Sequence, residues 1–421
     1  MKNLSTILII GSGARESSLA FKCLKNPQKP EVYLWSSKGS SYGHGIALGN
    51  SESDHEAIVS WCNENRPELV IIGPEQPLVD GLSDLLRSKG FSVFGPSKAA
   101  AKLEESKDFA KEIMSAGKVP TAKYQSVTDY ESFLKAAAAF KEENLKGIVI
   151  KKDGLCGGKG VEVFETFNDF EAKMDEYKKF WELNPGYKVV LEERLIGFEF
   201  SLFALCQDLE YKTLPIAQDY KRAYEGGKGP NTGGMGSYAP IAKAIMDKIP
   251  ENIAEYTIKP ILEVMKSRGE SFSGLLYCGL MMTENGCKVL EYNVRFGDPE
   301  CQSVMQLLPD DFSSVLKEIA DGNPIPDFKI KDKKVVSIVV AAEGYPSAPK
   351  KGAKLIFKEL PEDTVLFPAG IDSNDNASSG RVITVTSTKD SIDEARENCL
   401  KVIQDLDFED KMYRNDIALL N

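Results

Sequence analysis

Histidine is nearly missing from this chain of 421 residues; His44 and His55 are the only two. A His-based triad or a multi-histidine metal site therefore has almost no material. The eight cysteines, at 23, 62, 156, 206, 278, 287, 301 and 399, never fall as Cys-x-x-Cys. They sit among apolar neighbours, as free thiols in a reducing cytosol do, which excludes a disulfide framework and a thiolate zinc site. An excess of positive charge is also lacking. Lys and Arg total 52 against 63 Asp and Glu, a net charge of −11, so a sequence-independent grip on nucleic acid is not expected. No apolar run approaches the ~18 residues of a membrane span. The first six residues lead straight into a strand-like run, without the apolar segment of a signal peptide. There is no internal repeat and no low-complexity tract. What remains is ordinary globular composition, 42% hydrophobic and 27% charged, on a chain long enough for roughly two to four domains. A cytoplasmic, multidomain protein is expected, with 1–421 reading as a complete single-activity chain.

Short apolar runs at 6–10, 69–72 and 92–94 each stop at glycine (Gly11, Gly73, Gly95), with helical composition between them. This predicts a parallel α/β unit over 1–104, whose ligands sit at the glycine-bearing ends of the strands. One helix is expected over 103–116. A second starts at Tyr130, with Phe133, Leu134 and Ala137 on one face, and runs to near Gly147. The runs 147–151 and 160–164 flank a glycine-rich segment and predict a hairpin. Strands follow at 188–192 and 198–205. Residues 226–236 hold six glycines in eleven positions, too many for helix or strand. A helix kinked at Pro260 precedes strands at 274–283 and 287–296. The last ninety residues mix strands at 335–341 and 382–385 with a helix carrying Cys399, Val402, Ile403 and Leu406.

Five constellations have chemical potential. Gly11-Ser12-Gly13 follows a strand, but Glu16 replaces the third glycine of a dinucleotide fingerprint and the second strand ends in Trp-Ser-Ser, which argues against NAD. A phosphate cradle and a purely structural turn both remain open. The loop 153–160, with Lys151 before it and Lys159 inside it, is no Walker A motif, because Gly160 follows the lysine. It is either a hairpin closing over polyphosphate or a solvated tip. Strict alternation over 289–296 puts Glu291, Asn293 and Arg295 on one strand face, and Asp298 and Glu300 follow. A carboxylate two residues from an amide oxygen suits Mg²⁺, Arg295 suits phosphate, and a merely solvated face is the alternative. Glu192-Glu193-Arg194-Leu195 and then Glu199 form either a nucleotide hinge or an exposed acidic turn. Asp219, Lys221 and Arg222 feed the glycine loop over 229–236, read as an anionic-substrate site or a disordered loop.

Taken together these pieces resemble the ATP-grasp superfamily, and more narrowly the phosphoribosylamine–glycine ligase (glycinamide ribonucleotide synthetase) family. The likeness runs over the whole chain and is most specific at 73–79, 151–160, 229–236 and 291–300; it also takes in Ser106-Lys107 and the tail over 408–417. It implies a Rossmann-like N-terminal domain over 1–104 and a two-lobed ATP-grasp core over 105–328, in which 120–191 is a mobile lid. A small mixed α/β domain over 329–421 completes an α/β and α+β fold. The implied reaction ligates glycine to 5-phospho-β-D-ribosylamine with ATP through an acyl phosphate, in purine biosynthesis. Phosphorylation gives the carboxylate a leaving group, and such chemistry needs positioning and charge neutralisation more than a histidine.

By resemblance, Lys107, Lys151, Gly157, Gly158, Glu192, Glu193, Leu195 and Glu199 bind ATP, and Glu291 and Asn293 hold Mg²⁺ or Mn²⁺. Arg295, Lys159 and Asp219 carry the chemistry. Gly11, Gly13, Glu75, Lys221, Arg222, Gly233, Gly234, Met235, Asp298 and Glu300 bind the other substrates. The implied partners are small molecules only, with no nucleic acid and no membrane, on a monomer or weak homodimer. The chain departs from the family pattern at Ser17, Tyr220, Gly227, Lys228, Pro368 and Ser379. These changes motivate a second reading, a ligase for another small carboxylate or amine. A third is a nucleotide-binding scaffold without turnover.

Overall fold

The computed structural model describes residues 4–36, 40–143, 145–157 and 160–420. Near the N-terminus, five parallel strands form one sheet in the order Ile46–Ala47, Glu31–Trp35, Thr6–Ile10, Leu69–Ile72, Val93–Phe94. Thr6–Ile10 and Leu69–Ile72 lie side by side at its centre, buried on both faces, as their unbroken apolar runs require. Strand order reverses between them, so the turns at Gly11 and Gly73 flank the crevice where open α/β sheets bind ligands.

The central sheet is antiparallel, ordered Glu210–Thr213, Phe198–Gln207, Ser273–Thr283, Gly286–Asn293. A separate antiparallel sheet, Tyr124–Val127, Val189–Glu193, Ile148–Lys152, Val161–Phe164, makes up a lobe over 124–193. The helices Tyr130–Glu142 and Met174–Leu183 cover it and close a core of its own around Phe133, Phe170, Tyr177 and Trp181. A fourth sheet takes Lys334–Ala341, Arg381–Lys389 and Thr364–Pro368 from the C-terminal portion. It also takes Gln218–Asp219 and Gly236–Ala239 from the middle of the chain, so it runs across the sequence boundary drawn at 329. The C-terminal portion packs on the N-terminal one where Phe21 meets Phe367, ring centroids 5.8 Å apart. Among the described residues no helix is long and apolar enough to cross a membrane, and all eight cysteines are free.

Several local expectations are corrected. The single helix over 103–116 is two, Lys98–Glu105 and Lys107–Ala116. They break at Ser106, whose hydroxyl accepts from the Phe109 amide at 3.1 Å and caps the second helix. The helix from Tyr130 stops at Glu142. Pro260 opens a new helix, Lys259–Ser267, after Ile253–Thr257; proline in a first turn sacrifices no hydrogen bond. The glycine-rich segment contains a strand, Lys228–Asn231, paired with Arg222–Tyr224 as a ribbon. The strand expected over 287–296 ends at Asn293, and its alternation breaks earlier. Gly279 pairs with Glu291 while Leu280 pairs with Val289, leaving Leu290 as a bulge.

Because the lobe over 124–193 has an independent core, Phe133→Ala should destabilise it by about 3–5 kcal/mol. Hydrogen exchange should then lose protection across 124–193 while the sheet around Thr6–Ile10 keeps its own.

Candidate active site

A cavity of about 340 Å³ lies where the lobe, the central sheet and the crevice of the N-terminal sheet meet. Its floor is the end of the strand Gly286–Asn293. The Leu290 bulge turns that residue's carbonyl toward the lobe, where it accepts from Lys151 Nζ at 2.8 Å. Lys151 stands at the end of the strand Ile148–Lys152 and is also 2.9 Å from Glu192 Oε1. The same oxygen is 3.1 Å from Lys111 Nζ. Two ammonium groups therefore share one buried carboxylate oxygen. Lys111 also donates to Thr121 Oγ1 at 2.7 Å, and Thr121 donates to the Val289 carbonyl at 2.7 Å. Burial, reinforced by the Lys151 charge, pulls Lys111 down to about 8 against the attraction of Glu192.

The glycine segment is tied to this wall at its start. The Asp153 carboxylate accepts from the Lys107 amide at 2.7 Å and from Ser106 Oγ at 3.1 Å. It thus sits at the positive end of the helix Lys107–Ala116. Lys107 Nζ donates to the Gly154 carbonyl. Gly157 lines the cavity; Gly158 and Lys159 lie outside the described residues.

At the far end Arg295 is clamped between carboxylates. Its Nη2 is 2.6 Å from Glu104 Oε1 and its Nε 3.3 Å from Glu75 Oε2, while Nη2 also donates to Asn293 Oδ1 at 3.3 Å. Burial opposes its charge, but Glu104 and Glu75 outweigh burial and raise its pKa. Arg15 Nη1 is 3.8 Å from Glu75. Burial tends to raise Glu75, yet Arg295 and Arg15 prevail and hold it at about 2. Burial pushes Glu104 up despite Arg295. Partial burial tends to raise Glu291, but the charges of Lys221, Lys151 and Arg295 keep it below the usual carboxylate range.

Beside Glu291 lies a second cluster outside the cavity lining. Lys221 is paired with Glu199, and Asp219 and Glu199 hold it protonated against the effect of burial. Asp219 Oδ1 is cut off from water and has no hydrogen-bond partner among the described residues. Burial first, then Glu300, Glu199 and Glu291, push Asp219 up to about 8 despite Lys221. Glu300 accepts from Ser201 Oγ at 3.1 Å. Asp298 is held by Arg381, Nη2 to Oδ2 at 3.0 Å, and by Gln302 at 2.8 Å. Arg381 also donates to the Gly233 carbonyl at 2.6 Å, which joins the 229–236 loop to the site.

The cavity lining gathers Lys107, Lys151, Gly157, Glu192, Glu75, Gly233, Asp298, Glu291, Asn293 and Arg295 from the expected set. Others stand elsewhere. Glu193 faces Lys288 at 2.7 Å and the Lys123 amide at 3.0 Å. Leu195 is half-buried beyond the strand end. Arg222 Nη1 donates to the Gly229 carbonyl at 2.7 Å, inside its own ribbon. Met235 is fully buried in the hydrophobic core. Gly234, at φ +110°, packs where a Cβ would come within 2.4 Å of Pro299.

Gly11 and Gly13 surround Glu16 instead of an open cradle. The Glu16 carboxylate accepts from the Gly13 amide at 2.7 Å, and a Cβ on Gly73 would lie 2.2 Å from Glu16 Oε1. Gly11 and Gly13 border a separate pocket of about 130 Å³, together with Ser17 and Pro368. Sequence reasoning missed Lys111, Arg15, Glu104 and Arg381, which all line the main cavity. The one available signal was spacing: Lys111 lies one helical turn after Lys107 and so shares its face.

The family description "Phosphoribosylglycinamide synthetase" matches in three parts: N domain over residues 5–104, ATP-grasp (A) domain over 105–301 and C domain over 335–420. The chain belongs to the phosphoribosylglycinamide synthetase family. A phosphoribosylamine–glycine ligase of Lactococcus lactis is 39% identical over 419 residues, covering 98% of each chain. One from Caldanaerobacter subterraneus is 36% identical, covering 98% of this chain and 99% of its own. The crystal structure of the Thermotoga maritima phosphoribosylamine–glycine ligase superposes with a TM-score of 0.82 at 31% identity, over 98% of this chain and all of that one. A biotin carboxylase from Campylobacter jejuni, at 14% identity and a TM-score of 0.72 over 97% of this chain and 92% of its own, shares the fold. The chain is an ATP-grasp ligase.

The low pKa of Glu75 makes a stability prediction. A carboxylate depressed in the folded state stabilises above its unfolded pKa, about 4.3, and loses that contribution as pH falls through its folded value. Glu75→Gln should therefore melt below wild type at pH 7. The gap should close as the pH of the thermal-unfolding series falls toward about 2.

Proposed function

We propose that this protein joins glycine to 5-phospho-β-D-ribosylamine at the expense of ATP, giving glycinamide ribonucleotide, ADP and phosphate. Full-length membership of the family supports the reaction. The observation that carries it is the convergence of Lys151, Lys107 and Arg295 with Glu291 and Asn293 on one cavity. Cationic groups there face oxygen donors of the kind that bind hard cations. The glycine carboxylate attacks the γ-phosphorus, the bond to the bridging oxygen breaks, and ADP leaves. The amine then attacks the carbonyl carbon of the glycyl phosphate, phosphate departs, and the amine loses a proton.

Lys107 and Lys151 bind the phosphates beside the glycine segment, where Gly157 lines the cavity. The lobe over 120–191 acts as a lid that excludes water. Glu193 and Leu195 shape the adenine end and Glu199 takes the ribose. Arg295, held rigid by Glu104 and Glu75, stabilises charge on the transferring phosphoryl group. Asp219, enclosed with Lys221, accepts the proton of the attacking amine. Gly11, Gly13, Glu75, Arg222, Gly233, Gly234, Met235, Asp298 and Glu300 shape the pocket for the amine and glycine, some through backbone alone.

Among the described residues no group of three or more His, Cys, Asp or Glu could hold a metal. Glu291 and Asn293 offer one carboxylate and one amide oxygen to the cavity, a donor set that fits Mg²⁺ or Mn²⁺ serving a nucleotide, since Mg²⁺ is usually held by one or two carboxylates with substrate phosphates and water. Glu291, kept ionised, and Asn293 Oδ1 would hold it. When bound it neutralises phosphate charge.

Three of the departures from the family pattern, Ser17, Tyr220 and Pro368, stand outside the lining of this cavity. The Tyr220 hydroxyl accepts from the Ala418 amide at 3.0 Å and its ring lies under Arg414, on the side of the C-terminal tail. Ser17 and Pro368 border the separate small pocket.

ADP release in a coupled assay, with glycine and with phosphoribosylamine generated in place, tests the proposal. Dependence on both substrates is expected, and turnover indifferent to glycine would refute it. Glu291→Ala and Asn293→Ala should each abolish Mg²⁺-dependent turnover while unfolding stays cooperative; retained turnover would remove the metal assignment. Lys151→Ala should raise the KM for ATP by roughly tenfold or more, and an unchanged value would count against its phosphate role.

A further inference from the structure

The nucleotide wall contains a carboxylate that polyphosphate would not tolerate unneutralised. Glu192 is buried on the strand Val189–Glu193, with one oxygen 2.9 Å from Lys151 and 3.1 Å from Lys111. Lys151 is the ammonium assigned to phosphate, so an arriving nucleotide competes with Glu192 for it. If Lys151 were the only partner, transferring it to phosphate would leave Glu192 as a buried bare anion beside the ligand, a costly arrangement. Lys111 is placed to prevent this. It projects from the helix Lys107–Ala116 and is itself fully buried. It is fixed by Thr121 at 2.7 Å and lies over the Tyr124 ring at 5.4 Å. Its charged neighbours are Glu192, Lys151 and Glu193.

We propose that Lys111 is a positioning residue for nucleotide binding: it keeps Glu192 neutralised so that Lys151 can exchange that carboxylate for phosphate. Lys111 need not touch the nucleotide. The bulge carbonyl of Leu290 keeps Lys151 aimed into the cavity during the exchange. Before the exchange, the shared oxygen links the lid lobe to the helix beneath it. The inference rests on the ATP-binding reading above.

The test is Mg-ATP binding to the full-length chain by titration calorimetry, with wild type measured first. Failure of wild type to bind would remove the functional reading and this proposal with it. Given wild-type binding, Lys111→Met should weaken it roughly ten- to a hundredfold, while Lys111→Arg, which keeps the charge, stays within roughly threefold. The discriminating step is Glu192→Gln added to Lys111→Met. Removing the bare anion should recover most of the lost affinity, a coupling that a merely structural lysine would not produce. Wild-type affinity in Lys111→Met, or no recovery in the double variant, would overturn the proposal. Should Lys111→Met fail to fold, Glu192→Gln alone decides. It should bind Mg-ATP more tightly than wild type, and weaker binding would overturn the proposal.

Discussion

Everything on the nucleotide side hangs on keeping lysine, arginine and carboxylate charges ionised in a space largely closed to water. Burial alone would neutralise most of them. Pairing prevents this, and the pairs join parts distant in sequence: Glu192 ties the lobe to the helix beneath it, and Arg295 ties the central sheet to Glu75 and Glu104. The charges that serve phosphate chemistry therefore also hold the cavity's walls together. Removing one partner leaves another buried and bare, so single substitutions here act on structure and binding together.

Glu16 shows the same economy in the N-terminal sheet. A glycine turn after a strand commonly presents free amides to a phosphate. Here an internal carboxylate occupies the space that side chains at Gly11 and Gly73 would fill, and it accepts from Gly13. Arg15, next in sequence, pairs with that carboxylate at 3.2 Å and reaches toward Glu75. The turn thereby projects a guanidinium into the cavity instead of opening an amide cradle.

The C-terminal tail performs a comparable task around the ribbon. Arg414, almost fully buried, forms a two-point pair with Asp416 at 2.7 Å, donates to the Arg222 carbonyl at 2.9 Å and covers Tyr220. Tyr220 faces the tail, and its neighbours Asp219 and Lys221 point the other way, as alternation along an extended segment requires. A position altered from the family pattern is thus separated from the chemistry by one residue and one sheet face.

Local order was legible in the sequence wherever one short segment determines its own environment. The unbroken apolar runs of Thr6–Ile10 and Leu69–Ile72 announced strands buried on both faces. The hairpin around the glycine loop was marked by its composition, and Lys151, Glu291, Asn293 and Arg295 were singled out by residue type and spacing. The Leu290 bulge was not legible, because register depends on the partner strand Ser273–Thr283 as much as on the segment itself. Nor were the roles of Lys111, Glu104, Arg15 and Arg381, since, the spacing of Lys111 from Lys107 aside, nothing near them in sequence distinguishes a solvated charge from one bound across a cavity. The sequence by itself determined most of the elements, the class of fold and the family. The tertiary structure alone decided which charges meet, because a buried charge is settled by partners that only long-range packing can deliver.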